Sequence, residues 1–589
     1  MIAIAFTAAL LLPLSLAYTV APSSTVPNQL LAWLTWGVVL LAFARRHGGA
    51  PASGLGVRQV CWFAVVVVAT SLLGFAWGGM TGRAAPVGLL APWVLSIVAS
   101  FVVLMVARSS GDGALARASA ADAMRRAVLI TAALGAAVGA LQVYAPQWTD
   151  GDFLATPPTP GRASGNLRQP NHLATLLLWG IVAATWAFDE AARCRRDAMS
   201  AGWLAAAPVL LGGVVLTASR TGAVGVLVLA VWGVVDRRLG RGTRALLALL
   251  PLLYALLWWG FDAVSAADAG AGGGFAGTAR LHQPDISSNR FAIWANTLEL
   301  IAQNPWTGVG VGEFNFAWTL TQFSRPRPLE FFDHTHNLPL QLIVELGIPL
   351  GALVIGLLLY ALWRAFVSAR DTPGDAGLAK RCAFVMLLLI GVHSLLEYPL
   401  WYAYFLFPTA FLWGLCLAPV GASAPAAPAA AGAAPPSRRR LRWPVVAGVL
   451  MIAGGLFAAW DYARVSRIFV ASDDAPPLEE RIRDGRRSVF FAHHADYAWA
   501  TTSVAPPLEA FRRPTHFLLD TRLMIAWSKA LAAHGDVDRA RWVAARLAEF
   551  KRADAASFFA PCRAPAEPGT PRPFQCEPPE RRYTFRDFR

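Results

Sequence analysis

Long apolar runs recur along the whole chain and dominate its pattern of hydrophobic and polar positions. A helix needs about 20 apolar residues to cross a hydrocarbon core of about 30 Å, and many of these runs reach that length. The pattern predicts an all-α, polytopic membrane protein of about 12–13 transmembrane helices. The predicted spans lie near residues 2–21, 28–44, 59–79, 89–107, 127–145, 172–188, 202–218, 221–235, 245–260, 338–363, 382–397, 399–418 and 444–461. The first run lacks a basic leader, so we expect a retained span rather than a cleaved signal.

Two apolar runs, 203–235 and 382–418, are too long for one span each. A single helix over the first run would be about 50 Å long at 1.5 Å per residue, which exceeds the bilayer core. A hairpin around residues 217–222 also keeps the basic flanks of that run on one side of the membrane. We therefore predict two helices in each run, with Arg220 at the outer turn of the first.

The distribution of charge sets the expected orientation. The chain is 56% hydrophobic and 15% charged, with 23 tryptophans and a pI near 10.2. Basic residues gather in alternate connections, for example at 193–196, 237–244 and 438–442, and are sparser in the others. This asymmetry is the positive-inside pattern, and it places the basic connections in the cytoplasm. The high pI therefore reflects topology, and we predict no nucleic-acid partner.

The connections divide the chain into four parts. Residues 1–420 form a multi-span domain with a large outer loop at about 261–337, and 421–443 form an Ala/Pro-rich cytoplasmic linker. The last span, 444–461, leads to a helical tail over 462–589. In this tail, Leu523–Phe550 has the pattern of a tetratricopeptide-type hairpin, although one hairpin is weak evidence for a repeat. Cys562 and Cys576 lie together in the exported tail, where a disulfide is permitted but not required.

The first polar cluster precedes the span near 172–188. Arg168, Gln169, Asn171 and His172 form a denser polar group than interfacial anchoring requires, so we regard them as candidate substrate-binding residues. The alternative is an asparagine-capped helix with interfacial arginines.

The second cluster lies in the large outer loop, where Ser287-Ser288-Asn289-Arg290 precedes an amphipathic pattern. The spacing predicts a serine-capped helix with Arg290 in its first turn, an arrangement that suits a phosphate group. A surface helix with an exposed arginine is the alternative. The glycines at 308–312 that follow lack the Gly-Lys-Ser/Thr ending of a Walker loop and predict a tight turn instead.

The third cluster is His334-Thr335-His336-Asn337, at the mouth of the next predicted span. Asn337 can cap that helix, and Glu345 lies about two turns inside, where a carboxylate is costly. Histidine is the side-chain type with an ordinary pKa near neutrality, so His336 is the candidate base. A zinc site and a purely interfacial histidine pair are the alternatives.

A fourth candidate is Glu397-Tyr398 at another span end, where an aromatic-belt tyrosine is the alternative reading. Arginines, a histidine, amides and a few acids thus share one membrane face without an acidic metal cluster. Arginines can stabilise a diphosphate leaving group, and one base can activate a hydroxyl. We therefore predict metal-independent transfer, without a cofactor, from a lipid diphosphate to an alcohol outside the cytoplasm.

Five segments resemble the bacterial O-antigen ligase/polymerase superfamily: GNLRQPNHLAT at 165–175, SRTG at 219–222, NRF at 289–291 with Trp294, NPWTGVGVGEF at 304–314 and HTHNLPLQLIVELG at 334–347. The RQPNH segment and the extended tail look most like the pilin-glycosylating PglL-type protein O-oligosaccharyltransferases. By this resemblance, His336 matches the essential loop histidine, and Arg220 and Arg290 match arginines at the diphosphate. Gln169 and Tyr398 match positions important in the protein-modifying branch.

The resemblance implies a multi-pass protein of the bacterial inner membrane with its active site facing the periplasm. It would move an oligosaccharide en bloc from undecaprenyl diphosphate to a serine or threonine hydroxyl of a pilin or other exported protein. An O-antigen ligase with lipid A core as acceptor and an O-antigen polymerase are the sister hypotheses. A transporter of lipid-linked glycans is the alternative from another class, and it would place its charges near the bilayer midplane.

Overall fold

The computed structural model describes residues 1–46, 87–109, 114–194, 197–267, 274–282, 286–419, 443–563 and 571–589. Across these residues the fold is all-helical, and the β-structure is limited to an isolated bridge between Val20 and Ser23. The predicted all-α class is confirmed. The predicted span 59–79 and nearly all of the predicted linker 421–443 lie outside the described residues.

The α-helices are numbered here in chain order over the described residues. They are α1 Ile2–Ser15, α2 Val26–Arg46, α3 Val87–Ser109, α4 Ala114–Tyr144, α5 Pro170–Arg193, α6 Asp197–Leu216, α7 Arg220–Val235, α8 Arg241–Ala267, α9 Gly277–His282, α10 Ile286–Gln303, α11 Phe314–Leu320, α12 Leu338–Leu346, α13 Ile348–Asp371, α14 Gly374–Ser394, α15 Ala403–Leu417, α16 Trp443–Phe469, α17 Leu478–Gly485, α18 Ala492–Thr502, α19 Thr521–Ala533, α20 Val537–Glu549 and α21 Ala560–Arg563. Short 3₁₀ helices include Pro146–Trp148, Pro399–Trp401 and Phe585–Phe588.

Eight of the described helices are long and apolar enough to cross a membrane, and four shorter helices are also apolar. The long ones are α2, α3, α4, α5, α8, α13, α14 and α16, and the shorter ones include α1, the end of α6, α7 and α15. Every predicted span within the described residues therefore overlaps an apolar helix, although one of them, 338–363, is divided between two helices. The chain is a polytopic membrane protein.

Both runs that were predicted to fold as helix pairs do so. The helices α6 and α7 are separated by residues 217–219, and Ser219 caps α7 by accepting a hydrogen bond from the backbone N–H of Gly222 (3.0 Å). The helices α14 and α15 are separated by a connection that contains the 3₁₀ turn Pro399–Trp401. A short polar cap is enough to divide an apolar run into two helices, because its side chain binds a backbone N–H in the first turn of the second helix that has no partner within that helix.

One predicted span is wrong. The run 338–363 is broken at Gly347, which ends α12 with a φ of +81°. A Cβ at this position would lie 2.4 Å from the carbonyl oxygen of Trp306, so the site requires glycine. Pro349 suits the first turn of α13, which starts directly after the break. The membrane-length helix is therefore α13 alone, and α12 is a separate nine-residue helix.

The described residues belong to two compact units. The first draws on Met1–Ala64, Ile97–Gln283 and Tyr360–Phe457. Its central element is α5, the most buried of the eight long apolar helices, and Gly180 lets α5 approach the Cβ of Ala132 in α4. The indole N–H of Trp179 donates to the carbonyl of Met386 (3.0 Å), which fixes α5 against α14. A side chain larger than hydrogen at position 180 would push these helices apart.

The second unit draws on Val65–Ser96, Pro284–Leu359 and Ala458–Arg589, and so combines much of the predicted outer loop with the tail. The two helices of the predicted hairpin are present as α19 and α20, capped by Asp520 and Asp536, and their tetratricopeptide type stays a prediction. The indole N–H of Trp542 donates to the carbonyl of Leu320 (3.1 Å), which ties α20 to the loop helix α11. The permitted disulfide between Cys562 and Cys576 is formed. The predicted division into a multi-span domain at 1–420, a linker at 421–443, a last span at 444–461 and a tail at 462–589 stays a prediction.

Candidate active site

The predicted site residues fall into two groups, one in each compact unit. Arg168, Gln169, Asn171, His172, Arg220, Glu397 and Tyr398 lie in the first unit, and Arg290, His336, Asn337 and Glu345 lie in the second.

The first group is centred on Asn171, in the first turn of α5. Its side-chain amide donates to Glu397 Oε1 (3.1 Å), and its amide oxygen accepts from the hydroxyl of Ser219 (2.6 Å). Glu397 is only 9% exposed, so this amide is one of the groups that compensate a buried carboxylate. Asn171 lies at the start of α5, Ser219 is the residue before α7, and Glu397 lies three residues after the end of α14. One asparagine therefore joins three helix ends.

The residues before Asn171 shape the same corner. Gln169 caps α5 by accepting a hydrogen bond from the backbone N–H of His172 (2.8 Å). Arg168 has a φ of +56°, and its guanidinium donates to the carbonyl of Ser24 (2.5 Å) and to Asn28 Oδ1 (3.2 Å). It also donates to the carbonyl of Ala17. These contacts hold the connection between α1 and α2, so Arg168 supports the structure whether or not it also touches substrate.

His172 and Tyr398 lie among aromatic rings. The ring of His172 is 5% exposed and lies 5.6 Å from the ring of His393 and 5.0 Å from that of Tyr402, between centroids. Thr175 Oγ1 and His393 Nδ1 are 2.8 Å apart. Tyr398 is half-buried and stacks with Tyr402, with centroids 6.0 Å apart. Arg220, the first residue of α7, is exposed.

The second group is built around a backbone turn. His336 has a φ of +55°, a left-handed conformation that costs a non-glycine residue about 1–2 kcal/mol. Its neighbour Thr335 is fully buried and uses three polar atoms. The N–H of Thr335 donates to Gln341 Oε1 (2.8 Å), its hydroxyl donates to the carbonyl of Asn337 (2.8 Å), and its carbonyl accepts from the indole of Trp294 (3.0 Å). Strained residues held in this way cluster at functional sites, which supports the choice of His336.

The helix after this turn begins as predicted. Asn337 Oδ1 accepts from the backbone N–H of Leu340 (3.0 Å), and Pro339 occupies the first turn of α12. Glu345 lies two turns further on and accepts a hydrogen bond from Gln341 Nε2 (2.9 Å). Burial raises the pKa of the Glu345 carboxyl from 4.5 to about 7. This group is therefore partly protonated near neutrality.

The predicted surroundings of Arg290 need a correction. The described part of α10 begins at Ile286, so Ser287 and Ser288 hold positions inside the helix rather than before it, and Arg290 follows the first described turn. Arg290 is half-buried. Phe291 beside it is 69% exposed and lines an open groove of about 530 Å³ with Trp294, Leu298 and Arg325 among others. The predicted serine cap therefore no longer supports a phosphate site at the start of this helix, whereas Arg290 stays a candidate.

The glycine segment forms the predicted tight turn. Gly308, Gly310 and Gly312 all have positive φ angles. The N–H of Val309 donates to the carbonyl of Val344 (2.8 Å), and the N–H of Gly310 donates to the carbonyl of Glu345 (3.0 Å). The turn therefore packs against the end of α12, and a Cβ at Gly308 would lie 2.5 Å from the carbonyl of Glu345.

The tail contacts this turn within the second unit. Arg589 donates to the carbonyl of Val309 (2.6 Å), and Arg586 donates to Asn304 Oδ1. Glu313 is 1% exposed, and its Oε2 lies within hydrogen-bonding distance of Nδ1 of His516 (2.8 Å). Residues from the tail thus cover the glycine turn, a role that hydropathy in the sequence did not indicate.

Three residues of these groups, Ser219, Trp294 and Gln341, lie in the segments that carry the family resemblance, but the sequence assigned them no role. Ser219 carries a recognisable signal, because serine directly before an apolar helix is a common cap. The partners of Trp294 and Gln341 become visible only when the turn at Thr335 is folded. Among the described residues, no group of three or more His, Cys, Asp or Glu side chains could hold a metal ion.

Comparison with known families matches three parts of the chain. Residues 163–188 match a protein glycosylation ligase model, and residues 205–355 match an O-antigen ligase model. The first match contains Asn171, and the second contains Arg220, Arg290 and His336. By these matches the chain is similar to the O-antigen ligases and, over residues 163–188, to the protein glycosylation ligases. Residues 382–560 match the C-terminal model of virulence factor membrane-bound polymerases.

Two curated relatives come from Acinetobacter baylyi (strain ATCC 33305 / BD413 / ADP1). A general O-oligosaccharyltransferase is 29% identical over 267 residues, which cover 43% of this chain and 43% of the relative. A ComP-specific O-oligosaccharyltransferase is 26% identical over 272 residues, which cover 44% of this chain and 45% of the relative. The chain thus spans less than half the length of the curated relatives it matches.

Proposed function

We propose that this ligase-family protein is a protein O-oligosaccharyltransferase. It transfers an oligosaccharide en bloc from undecaprenyl diphosphate to a serine or threonine hydroxyl of an exported protein, with a pilin as the first acceptor to test. The protein lies in the bacterial inner membrane, and the reaction takes place on the periplasmic side.

One observation carries the choice of a protein acceptor. The segment that matches the protein glycosylation ligase model, 163–188, includes Gln169 and Asn171, which organise the start of α5. Both curated relatives are named O-oligosaccharyltransferases, and one is named for a specific acceptor, ComP. These names support transfer to protein rather than to lipid A core.

In the proposed reaction, His336 is the general base. The acceptor hydroxyl oxygen attacks the anomeric carbon of the first sugar while its proton moves to the imidazole of His336. The bond from the anomeric carbon to the diphosphate oxygen breaks, and the electron pair leaves with undecaprenyl diphosphate. The left-handed turn at His336 supports this role, because it fixes the direction in which the ring is presented.

Arg220 and Arg290 would stabilise the charge that develops on the leaving diphosphate, since guanidinium groups stay charged and bind phosphate oxygens in pairs. Glu397 and Tyr398 are proposed to contact the substrate together with Arg168, Gln169, Asn171 and His172. The same proposal extends to Asn337 and Glu345.

The test is His336→Ala in a bacterial host that supplies a lipid-linked oligosaccharide and an acceptor pilin. We expect glycosylation to fall at least about 100-fold, the usual contribution of a general base. His534→Ala is the matched control, because His534 is an exposed tail residue whose Nδ1 contacts its own helix at the carbonyl of Ala530 (2.8 Å). Intact-mass analysis of the pilin measures transfer. Normal glycosylation by a normally inserted His336→Ala protein would disprove the base assignment.

The O-antigen ligase match over 205–355 favours one second candidate, transfer to lipid A core. The same host with a lipid A core acceptor distinguishes the two: a glycosylated core and an unmodified pilin would replace the first proposal. A ladder of glycan chain lengths that disappears on deletion of the gene would instead indicate a polymerase.

A further inference from the structure

Gln341 is a buried side chain to which neither the sequence motifs nor the family matches assign a role. It lies in α12, is 2% exposed, and makes one hydrogen bond with each end of its amide. One bond reaches the backbone N–H of Thr335, and the other reaches the carboxyl of Glu345. The residue after Thr335 is His336, so this amide lies one peptide away from the proposed base.

The chemistry of the partners fixes which way the amide points. A backbone N–H only donates, so the group of Gln341 that faces Thr335 must be its oxygen. The NH₂ group must then face Glu345, whose oxygen accepts at 2.9 Å. Glu345 therefore holds the amide in the one orientation that can bind the N–H of Thr335. If the amide turned over, two donors would face each other at Thr335.

The bond at Thr335 matters because the next residue is strained. The turn is held by Gln341 at the N–H of Thr335, by Trp294 at its carbonyl and by the Thr335 hydroxyl at the carbonyl of Asn337. Gln341 accepts from the N–H of Thr335 and so fixes the peptide group between His334 and Thr335. Loss of this bond would let the peptide rotate and would release the left-handed conformation of His336.

We propose that Gln341 is a positioning residue for transfer, that it acts through the Thr335 peptide to hold His336, and that Glu345 orients the Gln341 amide. The proposal rests on His336 as the base of the proposed function. It gives Glu345 a supporting role in addition to the substrate contact proposed above. A displacement of the base by about 1 Å can lower a rate by about 100-fold, so the effect should appear in kcat.

The test uses the full-length protein, an undecaprenyl diphosphate-linked oligosaccharide from the host, and a pilin acceptor. Gln341→Leu is expected to lower kcat by about 10-fold to 100-fold with little change in KM for either substrate. Glu345→Leu, which removes the orienting acceptor, should lower kcat in the same direction. Glu345→Gln keeps an oxygen that can accept, so it should lose less activity than Glu345→Leu.

Two control variants separate positioning from a general loss of stability. Gln303→Leu removes the glutamine of another i, i+4 glutamine–glutamate pair, because Gln303 Nε2 and Glu299 Oε1 are 3.5 Å apart on the exposed face of α10. Val344→Ala removes buried packing from α12 itself. Both controls should keep the wild-type kcat, and the second should do so despite a lower melting temperature. A fall in kcat that follows the melting temperature across all these variants would overturn the proposal.

A double-mutant cycle with His336 gives the sharpest outcome. If Gln341 acts only through His336, then Gln341→Leu causes no further loss in a His336→Ala background, measured by mass spectrometry after long incubation. An equal fold-loss in both backgrounds would overturn the proposal while leaving His336 as the base. Full activity of His336→Ala alone would instead disprove the base assignment, so the two failures are distinguishable.

Discussion

The two groups of candidate residues are held together in different ways. Around Asn171, polar side chains bond to one another across the ends of three helices, as in the bonds to Ser219 and Glu397. Around Thr335, side chains bond to the backbone of a single turn, as Trp294 and Gln341 do. The first arrangement depends on each side chain having its particular partner. The second depends on one backbone conformation that several donors and acceptors hold at the same time.

This difference predicts how each group responds to substitution. In the first group, loss of one side chain leaves a buried polar partner with one bond fewer, which is costly. In the second group, loss of one bond leaves the other bonds in place, so the free energy of unfolding should change little. The transfer rate should still fall, because the turn positions His336. Three substitutions test the comparison, in order of expected effect.

Asn171→Leu should have the largest effect on stability. It removes the bonds to the Glu397 carboxylate and to the Ser219 hydroxyl, and each bond lost in a buried site costs about 1–3 kcal/mol. Thermal unfolding in detergent micelles measures the loss. Asn171→Asp is the companion variant: it still accepts from Ser219 but places a second carboxylate against Glu397. A melting temperature for Asn171→Leu equal to that of the wild type would contradict the account of the first group.

Asn337→Ala should have a smaller effect on stability, about 1 kcal/mol, because it removes the cap of α12 and no buried charge is left behind. Asn337→Asp should restore most of this stability, since aspartate caps about as well as asparagine. Unfolding of the two variants under the same conditions measures the difference. If aspartate fails to restore stability, then Asn337 contributes through a contact other than its cap.

Glu345→Gln should have the smallest effect on stability at about pH 4.5 and a clear dependence on pH. The folded protein raises the pKa of this carboxyl from 4.5 to about 7, so it favours the protonated form. The wild type should therefore lose stability relative to Glu345→Gln as the pH rises from 4.5 to about 7, with no further change above that range. Melting temperatures of both proteins across this range measure the effect. Parallel curves for the two proteins would show that Glu345 is not the group responsible.

The sequence by itself determined the membrane class, the fold class and many helix ends. The length of an apolar run and the presence of a capping residue are properties of neighbouring positions along the chain. The sequence alone can therefore predict the spans near α5 and α14 and the caps at Asn337 and Asp520. The break at Gly347 also has a local sequence signal, because a glycine stands two residues before Pro349. The residues on both sides are apolar, so hydropathy alone predicted one continuous span. The polar motifs and the family resemblance likewise led to the candidate residues, because these are short local patterns.

Only the tertiary structure decided which of those residues meet. Asn171 and Glu397 are 226 positions apart, and Trp294 and Thr335 are 41 positions apart, so no local pattern links them. The contacts of Arg589 with Val309 and of Trp542 with Leu320 belong to the same kind, since they arise when the tail folds over the outer loop. Hydrogen bonds between distant residues depend on how whole helices pack, and packing is a property of the folded chain rather than of any one segment.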